Sequence, residues 1–391
     1  MHIDYTDEQK ALRQELRDYF HELMTPALRD ATRGVEGGDA YRSVIRQIGQ
    51  DGWLAIGWPK EYGGQGRSHM EQLIFFEEAQ AANVPLPFVT INTVAPALMA
   101  NGSDAHKAFF LPKIATGELH FAIGYTEPGA GTDLASLSTK AERDGDDWRI
   151  NGTKVFTSAA EAADYIWLAV RTDPDAARPH DGISIMMVNT GDPGFSYSPI
   201  RTVGDIRTNV TYYNDVRCSN DMIAGELNQG WRLITSQLNH ERVGLAAIGI
   251  AGTAAFEEVL AWARTADDSG RRPIDTPWIQ SALAEANHRL DAMRMMTNRM
   301  TWAMDRGQPD PAFASAIKTY SAEAMITVYR LMMDVVGSAS TLRWDSPAAV
   351  LEGELEAGYR KWQVNTFGGG VVEVMRDMVA AFGLGMRGYN R

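Results

Sequence analysis

Hydrophobic periodicity changes character twice along this chain, and that double change restricts the fold more than any one motif does. Over residues 1–118, helix-compatible stretches such as MEQLIFFEEAQAA are broken by the Gly- and Pro-rich clusters GWPKEYGGQG and NVPLPF. Over 119–227 the pattern becomes a series of short runs rich in β-branched and aromatic residues. WRINGTKVF, YIWLAVRT, GISIMMVNT and TYYNDVRC are parted by turn pairs such as Asp144-Gly145, Asn151-Gly152 and Asp181-Gly182. Over 228–391 the helical period returns in long segments, with ARTADDSGRRPIDTPW as the obvious interruption. Strands do not alternate singly with helices, so the expected class is α+β: an N-terminal helical domain, a middle antiparallel β domain and a C-terminal helical bundle. At ~100–200 residues per domain, 391 residues accommodate two or three such units.

Charge narrows the choice of partners. The 37 Lys+Arg against 50 Asp+Glu leave a formal charge of −13, which repels a phosphate backbone and an anionic bilayer. Neither a nucleic-acid binder nor a membrane protein is expected, although a local basic pocket for one anionic ligand stays open. The single cysteine, Cys218, cannot form an internal disulfide or a Cys-rich metal site and fits a reducing cytoplasm. Eight histidines occur without HExxH or any paired spacing, so no metal site is expected, and GxSxG is absent. The opening MHIDYTDEQKALRQELRDYF reads as an amphipathic helix and not as a signal peptide. Thr6 and Gln9 have capping-box spacing, and Leu12, Leu16, Tyr19, Phe20 and Leu23 recur on one face. The longest nearly apolar run, Val243 to Ala255, falls short of the ~20 residues a membrane span needs. Met295, Met296 and Met300 are expected to serve core or interface packing.

Three constellations carry chemistry. The first is Tyr125-Thr126-Glu127-Pro128-Gly129-Ala130-Gly131-Thr132-Asp133, where two glycines admit a ligand close to the backbone and two threonine hydroxyls offer hydrogen bonds. No GK[ST] follows, so it is not a phosphate loop, and an ordinary turn is the alternative. The second is Gln237-Leu238-Asn239-His240-Glu241-Arg242-Val243-Gly244. On a helix, Ile234, Leu238, Glu241, Leu245 and Ile248 share one face, so Glu241 falls within an apolar stripe. Desolvation there would raise its pKa towards the range of a general base, whereas pairing with Arg242 or a neighbouring helix would make it structural. The third is Thr366-Phe367-Gly368-Gly369-Gly370, which is either a flexible connector or a site where backbone approaches a ligand.

With these residues in view, the chain resembles the acyl-CoA dehydrogenase family over essentially its whole length. The resemblance rests on GWLAIGWPKEYGGQG, FAIGYTEPGAGTDLASLSTKA, INGTKVFTSA and LNHERVGLAA in this order. It implies a C-terminal four-helix domain, FAD held between the β domain and the C-terminal helices, and α,β-dehydrogenation of a CoA thioester. By position, Tyr125, Thr126, Gly131 and Thr132 match the loop at the flavin, while Phe156 and Ser158 match the aromatic and hydroxyl that flank its ring. Many members have Trp where Phe156 stands.

The family's commonest base is a glutamate in a YEGT-like motif. Setting EVMR of FGGGVVEVMR against the usual EIQR puts Gly369 at the base position and Gly368 at its aromatic neighbour. A minority of the family carries the base on the first long C-terminal helix, just before an arginine, and Glu241-Arg242 matches that place. The resemblance thus implies Glu241 as base, the Gly369 N–H as donor to the thioester carbonyl, and Arg242 and Gly368 as substrate contacts. The usual RxxFG arginine, which reaches the FAD pyrophosphate of a neighbouring subunit, is missing. Arg271 and Arg272 are misplaced substitutes for it. The pattern is most similar to actinobacterial steroid (cholesterol) side-chain acyl-CoA dehydrogenases, built as α2β2 heterotetramers with a homologous partner subunit. An electron-transfer flavoprotein is the expected acceptor. A non-catalytic assembly subunit and a flavin oxidase are the competing readings.

Overall fold

The computed structural model describes residues 4–34, 37–235 and 248–386. The N-terminal part comprises α1 (Asp7–Leu23), α2 (Pro26–Thr32), α3 (Gly38–Gln50), α4 (His69–Ala81), α5 (Ala95–Asn101) and α6 (Asp104–Ala115). The Thr6 hydroxyl accepts from the Gln9 N–H while the Gln9 side chain accepts from the Thr6 N–H, so the capping box forms as the sequence predicts. Leu12, Leu16 and Phe20 are buried, with Tyr19 and Leu23 half-buried beside them. α4 starts on a second capping box, Ser68 with Glu71, and packs against α1. Its buried Glu77 and Glu78 pair with Arg13 and Arg17 of α1, Arg13 meeting Glu78 at 3.0 Å.

Eight strands form the middle sheet: β1 (Phe121–Gly124), β2 (Lys140–Asp144), β3 (Asp147–Lys154), β4 (Tyr165–Arg171), β5 (Ile183–Asn189), β6 (Phe195–Arg201), β7 (Arg207–Cys218) and β8 (Ile223–Ala224). The order is β6-β7-β3-β2-β4-β5-β8, with β1 also paired to β4. Most pairings are antiparallel, as expected, but β1 and β2 run parallel to β4. β4 is covered on both faces, which explains why YIWLAVRT is continuously apolar and does not alternate. Trp167 and Ala169 join the core under the N-terminal helices, while Ile166, Leu168 and Val170 fill the β domain's own core with Met186 and Val188.

Beyond the sheet lie α7 (Ile248–Arg264), α8 (Pro277–Asp305), α9 (Pro311–Val336), α10 (Glu354–Trp362) and α11 (Val372–Met378). α7, α8 and α9 pack around Phe256, Val259, Leu283, Leu290, Met325 and Val328, and α10 and α11 lie against α9. Met300 is buried with Met296 packed beside it, whereas Met295 is exposed. The β6–β7 turn is tied to the C-terminal helices through Asp205, which accepts from Arg360 at 2.7 Å and from Arg343 at 3.3 Å. Among the described residues no helix is long and apolar enough to cross a membrane.

Candidate functional site

The loop after β1 is built around a buried ion pair that sequence inspection misses. Lys154, at the end of β3, and Glu127 meet at 2.9 Å, and Lys154 also donates to the Tyr125 carbonyl at 3.0 Å. The Glu127 carboxylate further accepts from the Ser138 N–H, the Ser138 hydroxyl and the Thr139 N–H. Burial would raise the Glu127 carboxyl, but the Lys154 charge and these donors outweigh it and hold it at about 2. Burial brings the Lys154 ammonium down to about 8 against the opposing pull of Glu127. The 127–130 turn closes on itself through Glu127 and Ala130, and the Val155 N–H donates to the Thr126 carbonyl at 2.8 Å. The loop is therefore fixed to the β3 exit from below. The lysine stands in a strand next to apolar neighbours, and that unusual placement is the signal that could have revealed it.

On this base stand Tyr125, Thr126, Gly131 and Thr132, with Phe156 and Ser158 just beyond the β3 exit. Tyr125 is half-buried and its hydroxyl accepts from the Trp167 indole N–H at 3.1 Å. Thr126 is half-buried, and among the described residues its N–H has no acceptor. Gly131 and Thr132 are exposed; a Cβ on Gly131 would meet only Thr126 Cγ2, at 3.9 Å, so the outer side of the loop is open. Phe156 follows the tether at Val155, and its ring is 61% exposed while its backbone is left-handed, φ +62°. Such a conformation costs a non-glycine residue roughly 1–2 kcal/mol, and the exposed ring returns nothing for it within the chain. Two neighbours lock it in place: the Thr157 N–H donates to the Asn209 carbonyl at 3.0 Å, and the Asn209 amide donates to the Thr157 carbonyl at 3.0 Å. The exposed Ser158 hydroxyl donates to Thr208 at 3.2 Å. An exposed aromatic face beside an unpaired N–H and an open loop fits a flat, polar-edged ring such as a flavin.

The glycine run lies on a separate element between α10 and α11. The Gly368 N–H donates to the Val364 carbonyl at 2.7 Å, and Gly369 and Gly370 have φ of +67° and +104°. A side chain at Gly369 would sit on strained backbone, and a Cβ on Gly368 would come within 3.1 Å of the Val364 carbonyl oxygen. Lys318 of α9 is buried beneath this loop, a polar residue that no local motif marks. Glu241 and Arg242 lie outside the described residues. Arg271 is paired with Asp267 and Ser269 and Arg272 with Asp275, each within its own loop and exposed to solvent.

Three family models cover nearly the whole chain: the acyl-CoA dehydrogenase N-terminal domain over 6–118, the middle domain over 122–216 and the C-terminal domain over 228–384. The chain belongs to the acyl-CoA dehydrogenase family. Acyl-CoA dehydrogenase FadE26 of Mycobacterium tuberculosis is 50% identical over the full length of both chains. Among solved structures, the ChsE4-ChsE5 complex from Mycobacterium tuberculosis matches with a TM-score of 0.94 at 49% identity, covering 100% of each chain. The Tcur3481-Tcur3483 steroid ACAD matches with a TM-score of 0.95 at 50% identity, also over 100% of each chain. Acyl-CoA dehydrogenases are flavoproteins, and the Phe156 surface accords with that chemistry.

Proposed function

We propose that this chain is the base-bearing subunit of a heteromeric, FAD-dependent dehydrogenase that places an α,β double bond in CoA thioesters with a bulky, steroid-type acyl group. The observation that carries the reading is Phe156, held in a costly conformation with its ring presented outward next to the braced 125–132 loop. Phe156 would stack on the flavin, with Tyr125, Thr126, Gly131, Thr132 and Ser158 at its polar edges. Bound FAD would supply the hydride acceptor.

In this reading the protein's own part is proton removal and charge placement. Glu241 takes the proton α to the thioester carbonyl, and Arg242 and Gly368 border the acyl group. The charge that develops on the carbonyl oxygen is met by the Gly369 N–H, a donor that a glycine keeps without a side chain. Holding the thioester against Glu241 in a near-attack geometry supplies the rest. The similarity to a complex described as a steroid ACAD supports a bulky substrate. Arg271 and Arg272 are engaged in their own loop, so a homologous partner subunit is the source of the missing cation in an α2β2 assembly. An electron-transfer flavoprotein would serve as the electron acceptor.

The test is co-expression with the homologous partner, followed by anaerobic addition of a steroid side-chain CoA thioester or octanoyl-CoA. The wild-type complex should lose its flavin colour with the steroid ester, and Glu241→Gln should bind the ester without losing colour. An unchanged rate in the Gln variant would show that Glu241 is a structural residue and not the base. A homotetramer of this chain alone with four tightly held FAD would overturn the heteromeric one.

A further inference from the structure

Lys318 is a cation more than nine-tenths buried, and its surroundings give it a specific task. On α9 it occupies a face with Ala314, Ser321 and Met325, all of them buried. Its ammonium donates to the Asn365 carbonyl at 2.5 Å and to the Gly368 carbonyl at 2.8 Å. The first contact closes the end of the short helical turn over Gln363–Thr366, which any good donor would do. The second lies past that end and grips the peptide joining Gly368 to Gly369.

That peptide needs an external hold. Between two glycines, rotation about the flanking bonds costs little, so the plane can flip and exchange the places of its C=O and N–H. A trans peptide directs the two groups to opposite sides, so fixing the Gly368 oxygen towards α9 fixes the Gly369 N–H away from it. Among the described residues that N–H has no acceptor. An ammonium on the oxygen also polarises the peptide, strengthening the N–H as a donor by roughly 10–30%.

We propose that Lys318 is a positioning residue for the dehydrogenation: it locks and polarises the Gly368–Gly369 peptide so that the Gly369 N–H faces the substrate's thioester carbonyl. The proposal rests on the reading of Gly369 as the carbonyl donor. It adds a residue that touches neither substrate nor flavin and works through one peptide group.

The experiment uses the FAD-loaded complex with its partner and compares wild type with K318M and K318R. The readouts are flavin content, kcat and KM, affinity for the α,β-unsaturated thioester product, and the red shift of that conjugated thioester on binding. The red shift reports polarisation of the carbonyl directly. K318M should keep its flavin and bind the product within about threefold, while kcat falls about 10- to 100-fold and the red shift shrinks. K318R, which retains the charge, should recover most of both. If K318M fails to accumulate, K318Q is read in the same assays, with reduced kcat and shift again expected. A variant with the full red shift and kcat within threefold of wild type overturns the proposal, as does parallel loss of flavin, affinity and kcat with a normal shift. A wild-type complex whose flavin is not bleached by any CoA thioester overturns the parent reading and this one together.

Discussion

The Lys154 ammonium and the Glu127 carboxylate meet at 2.9 Å with side chains 0% and 4% exposed, and the loop that presents Thr126 and Thr132 is pinned through them. Lys154→Met removes one partner and leaves a carboxylate buried without its counter-charge, a loss of about 3–5 kcal/mol. Thermal unfolding should shift down sharply and flavin content should fall. Pairing it with Glu127→Gln should recover part of the stability, because no uncompensated charge remains. A double variant no more stable than Lys154→Met would show that the pair is not the source of the effect.

Phe156→Gly separates folding from cofactor binding. The substitution relieves left-handed strain and removes a ring that is 61% exposed, so the flavin-free chain should lose no more than about 1 kcal/mol and could gain. Flavin affinity should nevertheless drop at least tenfold, measured by fluorescence titration. Equal losses in denaturant stability and in flavin affinity would make Phe156 an ordinary packing residue.

Acid should weaken the junction of the N-terminal helices and the sheet. His120 is buried, and burial first, with the Arg42 charge adding to it, lowers its pKa to about 4. The unfolded chain, titrating near 6.5, binds more protons between pH 6.5 and 4. Stability is thus fully present above pH 6.5 and declines as pH falls through that window, by up to about 3 kcal/mol. Denaturant midpoints between pH 7.5 and 5 should fall in wild type and fall less in His120→Gln. Parallel slopes for the two proteins would remove His120 from the account.

Arg271→Ala and Arg272→Ala should leave flavin content within twofold of wild type in the assembled complex. Both guanidiniums are spent on Asp267 and Asp275 in their own loop. A large loss of flavin in either variant would reinstate that arginine as a ligand of the pyrophosphate.

Local patterns were the legible part. The Thr6–Gln9 capping box, the face of Leu12, Leu16 and Phe20, and the change from helix to strand and back are set by near neighbours, and the structure carries them all. The parallel partners of β4 are not, since β1 and β2 reach it through long connections that periodicity does not encode. The motif loops were found, but the polar residues that brace them were not. Lys154 and Glu127 are 27 residues apart, and Lys318 and Gly368 are 50 apart, so each pair exists only once the chain has folded. Lys318 was nevertheless open to the stripe reasoning that singled out Glu241, because it too recurs with small and apolar residues on one helical face. Phe156 was identified by its place in the motif, while its left-handed backbone is invisible to sequence.

Asp205 gives the molecule a latch. Its carboxylate takes both Arg343 and Arg360, while Arg360 also binds Glu356 on its own helix. The solvent-facing Arg343 pair is worth only about 1 kcal/mol or less, and it shares its anion with the less exposed Arg360. The tip of the β6–β7 hairpin is therefore coupled to α10 through that carboxylate and through the Val203 carbonyl, which also accepts from Arg360. High salt loosens that latch before it loosens either domain's core.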